Sequence, residues 1–453
     1  MSSTVNSREL VLEILLAVME DGAYSHVVIR DTLNKYHYLE KQERSFIKRV
    51  CQGTLENLIL LDYIISRFSS VKINKMKPVI RCILRSSVYE LKFMDAVPPS
   101  ATCNEAVKLA QKKGFYSLKG FVNGVLRNIS RNLDRISLPD REKDVMEYLS
   151  VAYSMPRWLL ELWLKSYSLE EVEGFLEAFS GKMPTTVRVN PWRTTKEDLI
   201  RELESQGISV REDKEWSGVL FLENYDSLER IPAFEEGKFQ VQDLSSMQAA
   251  LWASPGKGSF VLDVCAAPGG KSIHAAELME GTGQVEARDL TEYKVSLIQE
   301  NIRRSRLSNV KAVQADARIP DRDKTEKADI VMADLPCSGL GVLGRKADIR
   351  YRITEEECIK LAGLQREILK VVRQYVKPGG ILLYSTCTIN PGENEENTAW
   401  FLSEFPEFCL ERQQQILPQK GRNDGFFLAR FRKKEDSQRF QGTEAENPDR
   451  NEG

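Results

Sequence analysis

Two short turns carry the residues most able to do chemistry. Asp334-Leu335-Pro336-Cys337-Ser338-Gly339 follows the apolar run Ile330-Val331-Met332-Ala333, and Ser385-Thr386-Cys387-Thr388 follows a second apolar run beginning at Ile381. Runs of this length and composition read as buried strands. An isolated cysteine is usually an inert small hydrophobe. Two cysteines at the ends of strands that finish on one edge of a sheet are different, because ligands gather at the carboxyl edge of open α/β sheets. A third run, Phe260 to Val264, breaks into Cys265-Ala266-Ala267-Pro268-Gly269-Gly270-Lys271 and then into an amphipathic stretch. That is strand, glycine turn and helix start, a device that lets backbone approach a ligand and offers it free N–H groups.

The turn does not read as a polyphosphate cradle. Gly270-Lys271-Ser272 resembles the end of a phosphate loop, but the position five residues before Gly270, where such a loop needs glycine, is Cys265. No G-x-G-x-x-G falls in the turn either. Acids follow the next two expected strands: Asp289 after Val285–Arg288, placed for a ribose diol, and Asp316 after Val310–Gln314, placed for a second contact along a nucleoside. A nucleoside pocket without a polyphosphate cradle fits S-adenosylmethionine. A methyl donor beside two thiols suits methylation of a pyrimidine at C5. That carbon is too weak a nucleophile until a thiolate adds at C6 and turns the ring into an enamine. A carboxyl near N3 stabilises the developing charge, and Asp334 is placed for it. A base must then take the C5 proton so that the thiol can leave, and the second thiol could assist. Methyltransferases reach such a base by taking it out of the stack.

The elements that must position these residues can be read in order. Strands and helices alternate from residue 260, as in a doubly wound parallel sheet. The expected strands there are 260–264, 285–288, 310–314, 330–333, 381–385 and 426–431, with helices at 358–376 and 393–405. Residues 8–132 read as an all-helical bundle with helices near 10–18, 39–51, 55–68, 77–94, 104–113 and 118–131. Between them, 184–190, 208–210 and 219–222 read as strands and 195–206 as a helix. This is a small α+β domain of the size of RNA-binding modules built on a four-stranded sheet. In it Arg188 and Arg193 beside Trp192 form a candidate RNA contact. The expected domains are 5–132, a linker at 133–144, 145–237, 238–432, and a polar tail at 433–453 expected to be disordered.

Charge and composition bound the function. The net charge is −2, but residues 1–132 hold 20 Lys+Arg against 12 Asp+Glu, or +8. A cationic front module suits a polyanion, and Lys108, Lys112, Lys119, Arg127 and Arg131 could share one basic face; a merely solubilising surface is the plainer reading. No apolar run approaches the roughly 18 residues of a membrane span, and 1–7 lacks a secretory signal. Eight scattered cysteines with no C-x-x-C pair argue against a zinc site or disulfide framework, so no metal is expected and a reducing cytoplasm is the simplest setting.

At this point the motifs converge on a family. Residues 265–271, 334–339 and Ser385-Thr386-Cys387-Thr388-Ile389-Asn390-Pro391-Gly392-Glu393-Asn394-Glu395 closely resemble the RNA 5-methylcytosine methyltransferases. Phe121-Val122-Asn123-Gly124-Val125-Leu126-Arg127-Asn128 resembles the NusB fold. The combination is similar to the bacterial 16S rRNA cytosine-C5 methyltransferases over nearly all of 5–432. The resemblance implies that Cys265, Ala266, Ala267, Pro268, Gly269, Gly270, Lys271, Asp289, Asp316 and Asp334 bind S-adenosylmethionine. It also implies that Cys387 is the nucleophile, that Cys337 assists release, and that the partner is an unpaired or flipped cytosine of 16S rRNA met by a monomer. Asp263 reads as a support for the loop, and Lys271 either holds the loop or approaches Asp334. Four other readings stay open: Cys337 as the attacking thiol, a non-catalytic RNA-binding assembly factor, a methyltransferase acting on another RNA, and a nucleotide hydrolase.

Overall fold

The computed structural model describes residues 5–181 and 183–435. The described chain forms two compact units. The first holds residues up to Ser180 together with Leu343–Ile353. Its helices are α1 (Ser7–Met19), α2 (Ser25–Lys35), α3 (Lys41–Glu56), α4 (Leu58–Phe68), α5 (Pro78–Phe93), α6 (Pro99–Lys112), α7 (Lys119–Asn132), α8 (Val145–Ala152), α9 (Arg157–Trp163) and α10 (Leu169–Ser180). The amphipathic stripes of α1, α3, α4, α5 and α7 meet in one core that includes Leu15, Ile47, Leu61, Leu84 and Leu126, which is how helices bury apolar faces. Helix α2 escaped sequence reading because only Ser25 and Ile29 of it are buried. On the surface of α6, Lys112 pairs with Glu9 of α1 at 2.6 Å and Lys108 with Glu105 at 2.7 Å, so two members of the expected basic face are partly neutralised. Helices α8–α10 pack with this unit. So does Leu343–Ile353, where Arg350 donates to the carbonyls of Tyr153 and Leu343 and the Tyr351 hydroxyl to that of Ser154.

The second unit begins with a four-stranded antiparallel sheet of β1 (Thr185–Val189), β2 (Ser209–Glu212), β3 (Val219–Glu223) and β4 (Phe239–Val241) in the order β2-β3-β1-β4, with α11 (Lys196–Ser205) and the one-turn α12 (Pro232–Glu235). Strand β4 lies past the expected boundary at 237, yet its partner is β1, Val187 opposite Val241. It therefore completes the small sheet. Arg188 is corrected more sharply. It is buried, donates to Gln242 and pairs with Glu277, so it cannot face RNA, whereas Trp192 is exposed.

The large sheet follows. Its elements are α13 (Leu244–Ala253), β5 (Phe260–Asp263), α14 (Gly270–Leu278), β6 (Gln284–Asp289), α15 (Glu292–Ser305), β7 (Val310–Gln314), β8 (Ala328–Asp334), α16 (Ile349–Arg352, in the first unit), α17 (Glu355–Val372), β9 (Val376–Thr386), α18 (Glu395–Glu404), β10 (Phe408–Ile416) and β11 (Phe426–Lys433). The order is β10-β11-β9-β8-β5-β6-β7, with β7 through β9 parallel and β11 and β10 antiparallel. Alternation divides the core. Val261, Ile330, Met332, Ile381 and Leu383 face α13–α15, while Leu262, Val331, Leu382 and Phe431 face α17 and α18. This is the period-two geometry of strands buried on both faces. The sequence did not announce β10, and Lys433, assigned to the tail, still belongs to β11. Positions 436–453 lie outside the described residues.

Candidate active site

The parallel register lines up the strand ends. Asp334 of β8 stands opposite Ser385 of β9, and Asp263 of β5 stands opposite Met332 and Ala287. The turns that follow these strands therefore share one edge of the sheet.

At the centre is the turn 264–269. The Val264 N–H donates to the Met332 carbonyl (3.0 Å), that of Ala266 to the Arg288 carbonyl (2.7 Å) and that of Gly269 to the Ala266 carbonyl (2.6 Å). Gly269 has φ +106°, a conformation that a β-carbon strains, and α14 starts on the next residue. Asp263 is buried and accepts from the Ser272 hydroxyl at 2.6 Å, tying the strand to the first turn of α14. Burial pushes its carboxyl up to about 7. A carboxyl whose folded pKa lies above its unfolded one stabilises the fold most at low pH and loses that contribution as pH rises. The window runs from the unfolded value of 3.8 to about 7. Asp263→Asn, which cannot ionise, should gain on the wild type in thermal midpoint across that window, by roughly 2–4 °C per kcal/mol of relieved penalty. Parallel pH curves in differential scanning fluorimetry would refute the assignment.

Asp289, at the end of β6, is buried. It accepts from the Ala267 N–H (3.0 Å) and the Leu290 N–H (2.8 Å) and pairs with Lys294 (3.0 Å). It fastens the turn to the neighbouring strand, and an ionised carboxylate has about four acceptor sites, so capacity for a diol remains. Arg288, an unexpected residue for a buried strand, is satisfied by Glu286 and Asp321. Asp316 follows β7, where the Ala315 N–H donates to the Asp289 carbonyl (3.0 Å), and both its oxygens are engaged by Arg318, at 3.0 and 2.7 Å. Burial and the nearby carboxylates raise the Cys265 thiol, Asp289 foremost among them, which leaves it unreactive.

Beside the turn lies the polar cluster that sequence reading assembled from three places. Lys271 donates to Asp334 at 2.7 Å, and the Ser385 hydroxyl donates to the other oxygen of the same carboxyl at 2.8 Å. This settles the question about Lys271 in favour of Asp334. Burial alone would lower the Lys271 pKa, but Asp334, with a smaller contribution from Cys387, outweighs it and holds the ammonium charged. The Cys337 and Cys387 sulfurs are 3.2 Å apart, and no disulfide joins them. The hydrogen bond to Cys387 and then burial drive the Cys337 pKa well above the ordinary thiol range.

Behind the sulfurs is a set of residues to which sequence reading gave no role. The Glu393 carboxylate, fully buried, accepts from Ser338, Asn390 and Gln365. Asn394 bridges Thr388 and Gln415. The signal was present as a dense polar run, 390–397, directly behind a strand end. Among the described residues no group of three or more His, Cys, Asp or Glu could hold a metal.

The donor set fits a nucleoside with a cationic sulfur better than a phosphate. Acids close the edge around the turn, and a β-carbon at Gly270 would meet nothing within 4 Å, so the turn has open space before it. Comparison with known proteins agrees. Residues 250–432 match the family described as 16S rRNA methyltransferase RsmB/F, 5–131 match the NusB family, and 155–228 match the ferredoxin-like domain of RsmF/B-like methyltransferases. A protein of Bacillus subtilis (strain 168) named probable ribosomal RNA small subunit methyltransferase B is 34% identical over 94% of this chain and 98% of its own length. Ribosomal RNA small subunit methyltransferase B of Proteus mirabilis (strain HI4320) is 31% identical over 96% of this chain and 100% of its own length. Among solved structures, PH0851 superposes with a TM-score of 0.81 at 27% identity, covering 95% of this chain and 99% of its own. A methyltransferase homolog from Pyrococcus horikoshii gives 0.56 at 26% identity, covering 64% and 99%. A two-thiol edge beside a glycine-bent turn, carried by a chain that aligns end to end with these relatives, places it in one group: the chain belongs to the RsmB/F family of 16S rRNA methyltransferases.

Proposed function

We propose that the protein methylates C5 of a cytosine in 16S rRNA through a covalent adduct between Cys387 and C6. One observation carries the reading: the two sulfurs at 3.2 Å, on the edge where Lys271 and Asp334 meet. S-adenosylmethionine is the cofactor, and when bound it supplies an electrophilic methyl group. The turn 265–271, with Asp289 and Asp334, would hold it. Asp316, whose oxygens also retain acceptor capacity beside Arg318, would join them.

The residues divide the work as follows. Cys387, as thiolate, adds to C6, and its electron pair forms the S–C6 bond while the C5=C6 pair shifts toward C5 and N3. As negative charge develops at N3, Asp334 donates a hydrogen bond to it, its proton coming from the Lys271 ammonium with which it pairs. Preorganised polar groups are worth most where charge appears in the transition state. The choice of Cys387 rather than Cys337 as the nucleophile rests on the resemblance to the RNA 5-methylcytosine methyltransferases. Once the S–C6 bond forms, Cys387 no longer holds the Cys337 proton. The hydrogen bond that raised the Cys337 pKa is then gone, although burial still raises it, and the reaction requires that this proton pass to solvent. Cys337 then takes the C5 proton, the C5–H electrons rebuild C5=C6, and Cys387 leaves as thiolate. One proton is released per turnover, as the replacement of C–H by C–CH3 requires.

The basic helical module and the small antiparallel sheet with exposed Trp192 are suited to presenting RNA. No described helix is long and apolar enough to cross a membrane, and a cytoplasmic monomer acting on an unpaired or flipped cytosine fits the reaction. The test is tritiated methyl transfer to deproteinised 16S rRNA and to assembled small subunits, with bisulfite sequencing of rRNA from cells lacking the protein. A single protected cytosine that disappears with the protein is expected. RNA binding without methyl transfer to either substrate would favour a non-catalytic assembly factor, and transfer to other RNAs alone would move the substrate.

A further inference from the structure

We infer that Glu393 is a positioning residue for the thiol pair, tying the segment that carries Cys337 to the segment that carries Cys387. The inference rests on the two-thiol reading above and extends it to a residue outside the reacting atoms.

Glu393 is fully buried, and among the described residues no lysine or arginine pairs with it. Its carboxylate accepts only from neutral donors: the Ser338 N–H at 2.8 Å, the Ser338 hydroxyl, the Asn390 amide at 3.0 Å and the Gln365 amide at 3.1 Å. Burial raises its pKa against the pull of those donors. A carboxylate kept in such a place is costly compared with an apolar side chain of the same volume, so its geometry must be doing something that packing does not.

The geometry is a clasp. Ser338 directly follows Cys337, and Thr388 directly follows Cys387. The Ser338 and Thr388 hydroxyls share a hydrogen bond at 2.8 Å, and Glu393 holds Ser338 by both N–H and hydroxyl. The two segments meet again on either side. The Leu335 N–H donates to the Ser385 carbonyl, and the Gly341 N–H donates to the carbonyl of Cys387 itself, each at 3.0 Å. At Gly341 a β-carbon would stand 2.2 Å from the Gly425 carbonyl oxygen and 2.9 Å from that of Cys387, so the backbones approach as closely as glycine allows. From behind, the Tyr384 hydroxyl donates to the Glu393 carbonyl and lies 3.0 Å from the Gln365 side-chain oxygen, which fixes the carboxylate's own backbone. The sulfur–sulfur separation is thus set by a buried polar lattice whose centre is Glu393. In a chemistry where one sulfur must leave as the other takes a proton, that separation governs release more than attack.

The test measures how enzyme partitions between trapped adduct and completed product, a ratio that does not depend on how much of a preparation is folded. Wild type, Cys337→Ala, Glu393→Gln and Ser338→Ala are each turned over with S-adenosylmethionine and substrate rRNA. The denatured protein–RNA adduct is then divided by methylated free RNA. In Glu393→Gln an amide N–H2 must face either the Ser338 or another donor, so the clasp opens. The ratio should rise by about 10-fold or more over wild type, the scale expected when a catalytic group is displaced by a fraction of an ångström. Ser338→Ala should move it the same way by less, and it carries the test if Glu393→Gln does not fold. An unchanged ratio in both variants, with only the active fraction reduced, would make Glu393 a packing residue and overturn the inference. If Cys337→Ala itself traps no adduct, the two-thiol reading fails first, and Glu393 with it.

Discussion

Replacing Cys387 by alanine should abolish both methyl transfer and covalent capture of RNA. The expectation follows from the substrate's chemistry as much as from the site. C5 of cytosine does not attack a methyl donor until a nucleophile has added at C6, and no second residue can supply that step from the same position. The nearest sulfur, Cys337, is hydrogen-bonded to Cys387 and held protonated by it. The rate should fall by on the order of 10⁴-fold or more, as when a covalent nucleophile is removed elsewhere. Binding of S-adenosylmethionine, proposed above to rest on the turn 265–271 and not on this thiol, should change little by calorimetry. Residual turnover within a factor of ten of wild type would exclude Cys387 as the nucleophile.

Cys337→Ala should behave in the opposite way, methylating its substrate once and failing to let go. With Cys387 intact, addition and methyl transfer proceed. Without a base at the C5 proton, the S–C6 bond cannot break at its normal rate. Loss of a positioned acid–base group typically costs roughly 10²–10⁴-fold in the step that uses it, enough for the protein–RNA adduct to become the dominant species. It should appear as a slower band on a denaturing gel, dependent on active RNA. If the alanine variants exchange phenotypes, with Cys387→Ala trapping and Cys337→Ala inert, the roles of the thiols are reversed. The pair would then follow the order in which the cysteine of Pro336-Cys337 attacks.

How much of this was legible in the sequence depends on what each residue packs against. The parallel strands β5, β8 and β9 were readable because both faces are buried, so their apolar runs are nearly continuous and their ends are marked by a change to polar residues. Reading where those runs stop was enough to bring Cys337, Cys387, Asp334 and the glycine turn to one edge. Strand β10 was not readable. Its stretch Leu410-Glu411-Arg412-Gln413-Gln414-Gln415 is an edge strand with most side chains in solvent, so neither alternation nor hydrophobicity marks it. Helix α2 failed for the same reason. Arg188 misled because an arginine in a short strand reads as surface until its partner, Glu277 of α14, is known, and a buried pair between residues far apart in sequence leaves no local trace. Residues 238–243 read as a strand from the sequence alone, but the pairing of β4 with β1 leaves no trace there. Glu393 shows the limit most plainly. Its position in the run Asn390-Pro391-Gly392-Glu393-Asn394-Glu395 was noticed as part of a motif, while its contact with Ser338, 55 positions earlier, exists only once the strands are in register.

The central claim is that Cys387 forms the bond to C6 while Cys337 governs its release. The most direct measurement is mass spectrometry of the adduct trapped by Cys337→Ala after nuclease and protease digestion. The account predicts one cross-linked peptide containing Cys387, joined to a cytidine nucleotide that carries the added methyl group and is saturated across C5–C6. A cross-link through any other residue, or free methylated RNA released at the wild-type rate with no adduct, would contradict it.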